Sequence, residues 1–162
     1  MDTTPIAPTA ALLLAELVDG APVGGAFMLN GGDPGLLRSL DRITAADASR
    51  THAGGASIAA HVDHLRYGLS LINRWADEGG NPFADADWTR SWHRTTVDDA
   101  GWAALRRALA DETHRWHRAI ERPREVMDVE LAGMLGSVAH LAYHLGAIRQ
   151  MDRSLRGPSA DE

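Results

Sequence analysis

Apolar side chains recur along this chain at the three- and four-residue spacing of helices, in blocks separated by Gly- and Pro-rich breaks. Thr9–Val18 is the first block, a short helix closed by Asp19-Gly20. Ala21 to Gly35 holds five glycines and two prolines and is a loop. Pro34 opens a second short helix through Ile43, since Pro suits a first helical turn, and Leu36, Leu37, Leu40 and Ile43 form its apolar side. Gly54-Gly55 breaks the chain again.

Three long helices follow. The first runs from Ser57, a good N-cap, to Ala76, with Ile58, Val62, Leu65, Leu69 and Ile72 along one face. Gly79-Gly80-Asn81-Pro82 stops it. Phe83 to Thr96 has no period and reads as an ordered loop carrying Phe83, Trp88 and Trp92. The next helix spans Asp98 to Ile120, with Trp102, Leu105, Leu109 and Trp116 inward and Pro123 beyond its end. The last spans Val129 to Leu155. It is uncharged from Leu131 through Ile148 and ends in Arg149, Asp152, Arg153 and Arg156, expected in solvent. No strand pattern and no internal repeat appears. The expected fold is all-α: one domain over residues 1–162, an up-down four-helix bundle whose first helix is broken into two short pieces. Residues 1–8 and 156–162 are expected as flexible tails.

Composition narrows the chemistry. All 16 basic residues are Arg, so Schiff-base chemistry on a lysine is excluded. Cysteine is absent, which excludes thiolate catalysis and Cys-held metals. The net charge of −6 argues against a nucleic-acid partner. Met1-Asp2-Thr3-Thr4-Pro5 lacks the basic start and apolar core of a signal peptide, and a cytoplasmic location is expected. Leu131–Ile148 approaches membrane-spanning length. Its two His, one Ser and three Gly fit a central bundle helix better than a bilayer, so no membrane partner is expected.

His140 and His144 stand four residues apart in that uncharged stretch, which stacks their Cβ atoms about 5–6 Å apart on one helix face. Two buried imidazoles need polar partners, and an ion with a third histidine from the Ser57 helix, His61 or His64, would supply one. His114 and His117 form a rival pair, but Arg115 and Arg118 beside them mark an exposed face. His52 and His93 fall in loops. Asp63 reads as a solvated helix charge. Leu141 occupies the position at which a zincin helix carries its glutamate, so metalloprotease chemistry is not expected. His61 and Tyr143 are the candidates for moving a proton. Tyr143 is more simply a residue that packs and hydrogen-bonds between helices. Phe83, Trp88 and Trp92 either wall a pocket or cap the bundle.

The phrase His140-Leu141-Ala142-Tyr143-His144-Leu145-Gly146-Ala147-Ile148 resembles the last-helix motif of the DinB/YfiT-like superfamily. Ser57-Ile58-Ala59-Ala60-His61-Val62-Asp63-His64-Leu65 is similar to that family's second-helix motif, which aligns the family's third ligand with His64. The resemblance covers roughly residues 34–153. It implies a four-helix bundle, often dimeric, in which His64, His140 and His144 hold a zinc- or nickel-type ion. Where the family often has Gln after the glycine of the last motif, this chain has Ala147.

The resemblance further implies a metal-dependent enzyme, either a hydrolase or a transferase or isomerase using a low-molecular-weight thiol. Three protein ligands would leave a coordination position open. The alternative is a non-catalytic bundle stabilised by its metal, acting as a stress-linked binding or scaffold protein. The small residues Ala132, Gly133, Gly136, Ala139, Ala142 and Gly146 would let another backbone approach the last helix, so a homodimer is expected.

Overall fold

Ser57 shows how the chain begins its long helices. Its hydroxyl oxygen accepts the Ala60 N–H at 3.2 Å and so caps helix α4, Ile58–Glu78, while the hydroxyl donates to the Thr95 carbonyl at 2.7 Å. Gly79, with φ of 72°, ends that helix. In the computed structural model, which describes residues 1–51 and 54–159, the other helices are α1 (Ala7–Asp19), α2 (Gly35–Leu40), α3 (Ala45–Ala48), α5 (Asp99–Ile120) and α6 (Asp128–Met151). Short 3-10 turns lie at Arg90–Trp92 and Arg153–Leu155. The described residues are thus all-helical: they form no strand, only the isolated bridges Asp2–Glu125 and Thr51–Ser57. They fall into two compact units, one of residues 1–40 with 117–159 and one of the described residues between 41 and 116.

In the first unit, α1 packs on α2 and on α6. Its apolar face, Ala7, Ala10, Leu14 and Leu17, is buried. Gly20 and Gly35, at φ of 104° and 72°, let the two ends of the intervening loop meet. A Cβ on Gly20 would collide with the Asp33 carbonyl, and one on Gly35 with the backbone of Gly20. The loop is also held by Glu16, whose carboxylate accepts the N–H groups of Phe27, Met28 and Leu29 at 3.0, 2.7 and 2.6 Å. Burial raises the Glu16 pKa, but these three bonds outweigh it and leave the pKa below its ordinary value.

Several expectations are corrected in this unit. The first residues are tied down: Thr3 is fully buried, exchanges hydrogen bonds with Arg124, and Met1 bonds Val126. Helix α6 stops at Met151 rather than Leu155. Asp152 turns extended, and its carboxylate accepts the Ser154 N–H at 2.9 Å to start a separate 3-10 turn. Arg149 is not in solvent. It is nearly buried and makes a two-point ion pair with Asp33.

Helix α6 opens with Glu130 accepting the Met127 N–H at 2.6 Å, and Asp128 and Glu130 complement the positive end of its dipole. Met134, Val138, Leu141, His144, Leu145 and Ile148 form its buried face. Val129, Leu135 and Tyr143 are exposed, and a Cβ at Gly133, Gly136 or Gly146 would meet open space. By length and composition α6 alone among the described helices could cross a membrane, with a third of its apolar window buried.

The short helix expected to reach Ile43 ends at Leu40, the last residue before the second unit. Thr44 starts α3 instead, accepting the Asp47 N–H at 3.1 Å. Trp102 on α5 donates its indole N–H to the Ile43 carbonyl at 3.0 Å, and Trp102, Leu105, Leu109 and Trp116 are buried as the pattern required. Asn73 on α4 donates to the Glu112 carbonyl and carboxylate on α5 at 2.9 and 2.7 Å, and Trp75 meets Trp116 edge-to-face at 6.3 Å.

Candidate metal centre

The i, i+4 pair on α6 is drawn together at its tips. His140 and His144 have their Nε2 atoms 2.9 Å apart, with ring planes at 86°. Two nitrogens each about 2.0–2.1 Å from one ion stand about 2.9–3.4 Å apart for angles between 90° and tetrahedral, so this spacing suits a shared cation. His144 is 1 % exposed and His140 half-buried. Burial pushes the His140 pKa below the ordinary histidine value, which favours the neutral ring that a metal needs.

On α4, His64 is 7 % exposed and lies under the loop that follows the helix. Trp92 stacks on its ring at 4.3 Å with planes at 22°, and Trp88 lies 5.7 Å away at a tilt. The His64 Nδ1 and Ser91 Oγ are 2.8 Å apart. His61, one turn earlier, meets Trp92 edge-on at 5.1 Å. Of the two histidines the α4 segment offers, His61 is only half-buried and His64 is buried. Burial lowers the His61 pKa as well.

His64, His140 and His144 form a group that could hold a metal ion: each offers one ring nitrogen, and the three nitrogens lie within 4.8 Å of one another. Neutral imidazole suits zinc, nickel, copper and iron, and no carboxylate or thiolate belongs to the group.

The remaining candidates divide. Trp88 and Trp92 lie against His64, and Phe83 stacks on Trp88 at 6.3 Å, so Phe83 reaches the histidine only through Trp88. Tyr143 meets His144 edge-on at 5.1 Å but is 69 % exposed, so it does not pack in a helix interface within the chain. His114 and His93 are exposed and His117 half-buried. His52 lies outside the described residues. Asp63 is not a solvated charge. It is buried and binds Arg66 Nε at 2.8 Å and Arg94 Nε at 3.3 Å.

Sequence reasoning missed Ser91 and the polar groove beside it. The groove has a volume of about 430 Å³, and its lining includes Asp63, Arg66, Asp87, Arg90, Ser91 and Arg94. The charge-dense stretch Arg90-Ser91-Trp92-His93-Arg94 was the available signal, but nothing in its spacing pairs Ser91 with His64. No protein-family model, curated protein or solved structure matches the chain.

Proposed function

We propose that the chain is a metal-dependent enzyme of the DinB/YfiT-like kind, with His64, His140 and His144 as the ligands of one divalent cation, zinc or nickel. The observation that carries this reading is the approach of three histidine nitrogens to within 4.8 Å of one another. Three neutral donors leave a coordination position for water or substrate. When bound, the ion would supply a Lewis acid or a metal-activated water. Leu141 beside His140 gives the helix no glutamate base, which turns the reading away from peptide hydrolysis and toward a smaller-molecule hydrolase or a thiol-dependent transferase or isomerase. The groove lined by Ser91, whose hydroxyl contacts His64, favours an enzyme over a metal-stabilised scaffold, which needs no cavity.

The architecture that goes with this reading is the up-down four-helix bundle, built from α1, α4, α5 and α6. Its partner is a second copy of the chain, covering the uncharged exposed side of α6 at Val129, Leu135 and Tyr143.

The test is metal analysis of the purified protein, followed by calorimetric titration with zinc and nickel. One ion per chain is expected, with binding lost in His64→Ala, His140→Ala and His144→Ala and kept in His61→Ala and His114→Ala. Equal binding by the wild type and the three ligand variants would overturn the assignment. Turnover screens with and without low-molecular-weight thiols then separate transferase from hydrolase, and a protein that binds metal and turns over nothing supports the scaffold instead.

A further inference from the structure

The loop after α4 makes a hydrogen-bond chain that ends on His64. Ser91 Oγ is 2.6 Å from the Trp88 carbonyl oxygen and 2.8 Å from His64 Nδ1. A serine hydroxyl has a single proton and a carbonyl oxygen has none. At 2.6 Å the two oxygens are held together only by a proton between them, so the hydroxyl donates to Trp88. Ser91 then faces His64 with a lone pair, and the proton between them belongs to Nδ1. In a neutral imidazole, a proton on Nδ1 puts the free lone pair on Nε2.

We infer that Ser91 is a positioning residue, which holds His64 as the Nδ1–H tautomer and presents its Nε2 to a divalent cation. The metal half of this inference rests on the function proposed above. The hydrogen-bond half stands on geometry within residues 64–92 alone.

The surroundings are built to hold that arrangement. Ser91 is 5 % exposed, so water competes little for its hydroxyl. It sits in the 3-10 turn Arg90–Trp92, which is closed by the Trp92 N–H on the Thr89 carbonyl at 3.1 Å and by the Arg90 N–H on the Asp87 carboxylate at 2.9 Å. The Asp87 N–H in turn donates to the Tyr67 hydroxyl at 2.9 Å. Tyr67 lies one helical turn after His64, so α4 grips the loop at two stacked positions. Trp92 stacks on a face of the ring at 4.3 Å, and Trp88 lies against it at a tilt, 5.7 Å away. A ring held by a hydrogen bond on Nδ1 and by stacking cannot turn Nε2 aside without losing both.

The experiment has two readouts. In metal-free protein with 15N-labelled histidine, long-range proton–nitrogen NMR at mildly alkaline pH should show His64 protonated on Nδ1. An Nε2–H tautomer overturns the assignment. In zinc titrations, Ser91→Ala should bind about 10–100-fold more weakly than wild type, the usual cost of losing an outer partner of a metal-bound histidine. Ser91→Thr, which keeps the hydroxyl, should restore both affinity and tautomer. Equal zinc affinity in wild type and a folded Ser91→Ala overturns the positioning role. A wild type that binds no zinc overturns the metal reading and the presentation of Nε2 with it, while the NMR result still decides who holds the proton.

Discussion

Asp33 and Arg149 lie 116 positions apart and meet in a two-point ion pair, Arg149 Nη2 donating to Oδ1 at 2.7 Å and Nη1 to Oδ2 at 2.9 Å. The Asp33 carboxylate also accepts the Gly35 N–H at 2.8 Å at the start of α2, so one buried acid ties α6 to that short helix. Removing one partner leaves the other charge buried and unpaired. Arg149→Ala and Asp33→Ala should each lower unfolding free energy by about 3–5 kcal/mol, read from urea midpoints. The double apolar replacement Asp33→Leu with Arg149→Met should recover much of that loss. A cost under about 1 kcal/mol for the single variants would show a pair no better than a solvated one.

Glu16 gives the loop before α2 its acid sensitivity. Its folded pKa lies below the ordinary 4.5 because three backbone N–H groups outweigh the effect of burial. A lowered folded value means the unfolded chain binds the proton more readily. The stability this group contributes is present above 4.5 and is lost as pH falls through the lower folded value. Glu16→Gln should cost about 1–3 kcal/mol at neutral pH and flatten the acid limb of a melting-temperature profile. An unchanged acid limb in this variant would remove Glu16 from the account.

How legible this was in the sequence depends on how local each cause is. Ser57 caps α4 within three residues, and the buried stripe from Ile58 to Ile72 repeats every turn, so that helix could be placed from the pattern alone. The His140–His144 pair was visible for the same reason. Arg149 was misread because its partner is 116 positions away and no local pattern announces it. The exposure of Tyr143 was not legible because α6 is apolar on every side, so composition does not say which side is covered within one chain. Ser91 was invisible because a three-residue 3-10 turn in an aperiodic loop has no spacing to read.

His61 predicts a second pH effect, higher on the scale. Burial holds its folded pKa below the ordinary 6.5. As for Glu16, the unfolded chain binds the proton first. The contribution is therefore fully present above 6.5 and drains away as pH falls through the lower folded value. His140 follows the same rule from the same cause, burial. Metal-free protein should melt at lower temperature as pH falls below 6.5, and His61→Gln should reduce that slope. A slope identical to wild type in His61→Gln would show that the ring titrates as it does in water.

The stacking of Trp92 on His64 at 4.3 Å offers an optical test of where a cation binds. A nickel ion on the His64 ring would lie within quenching range of Trp92 and of Trp88, whose ring is 5.7 Å from the same imidazole. Trp75 and Trp116 pair with each other instead, at 6.3 Å, and Trp102 bonds Ile43. One equivalent of nickel should therefore dim tryptophan emission, and the change should disappear in His64→Ala. It should fall by more than half in the Trp88→Phe, Trp92→Phe double variant, although five tryptophans emit in the wild type. Stacked and edge contacts of this kind contribute about 0.5–1.5 kcal/mol each, so the double variant should stay folded and its nickel affinity should fall only modestly. Quenching that survives intact in the double variant would place the cation away from His64 and against the three-histidine assignment.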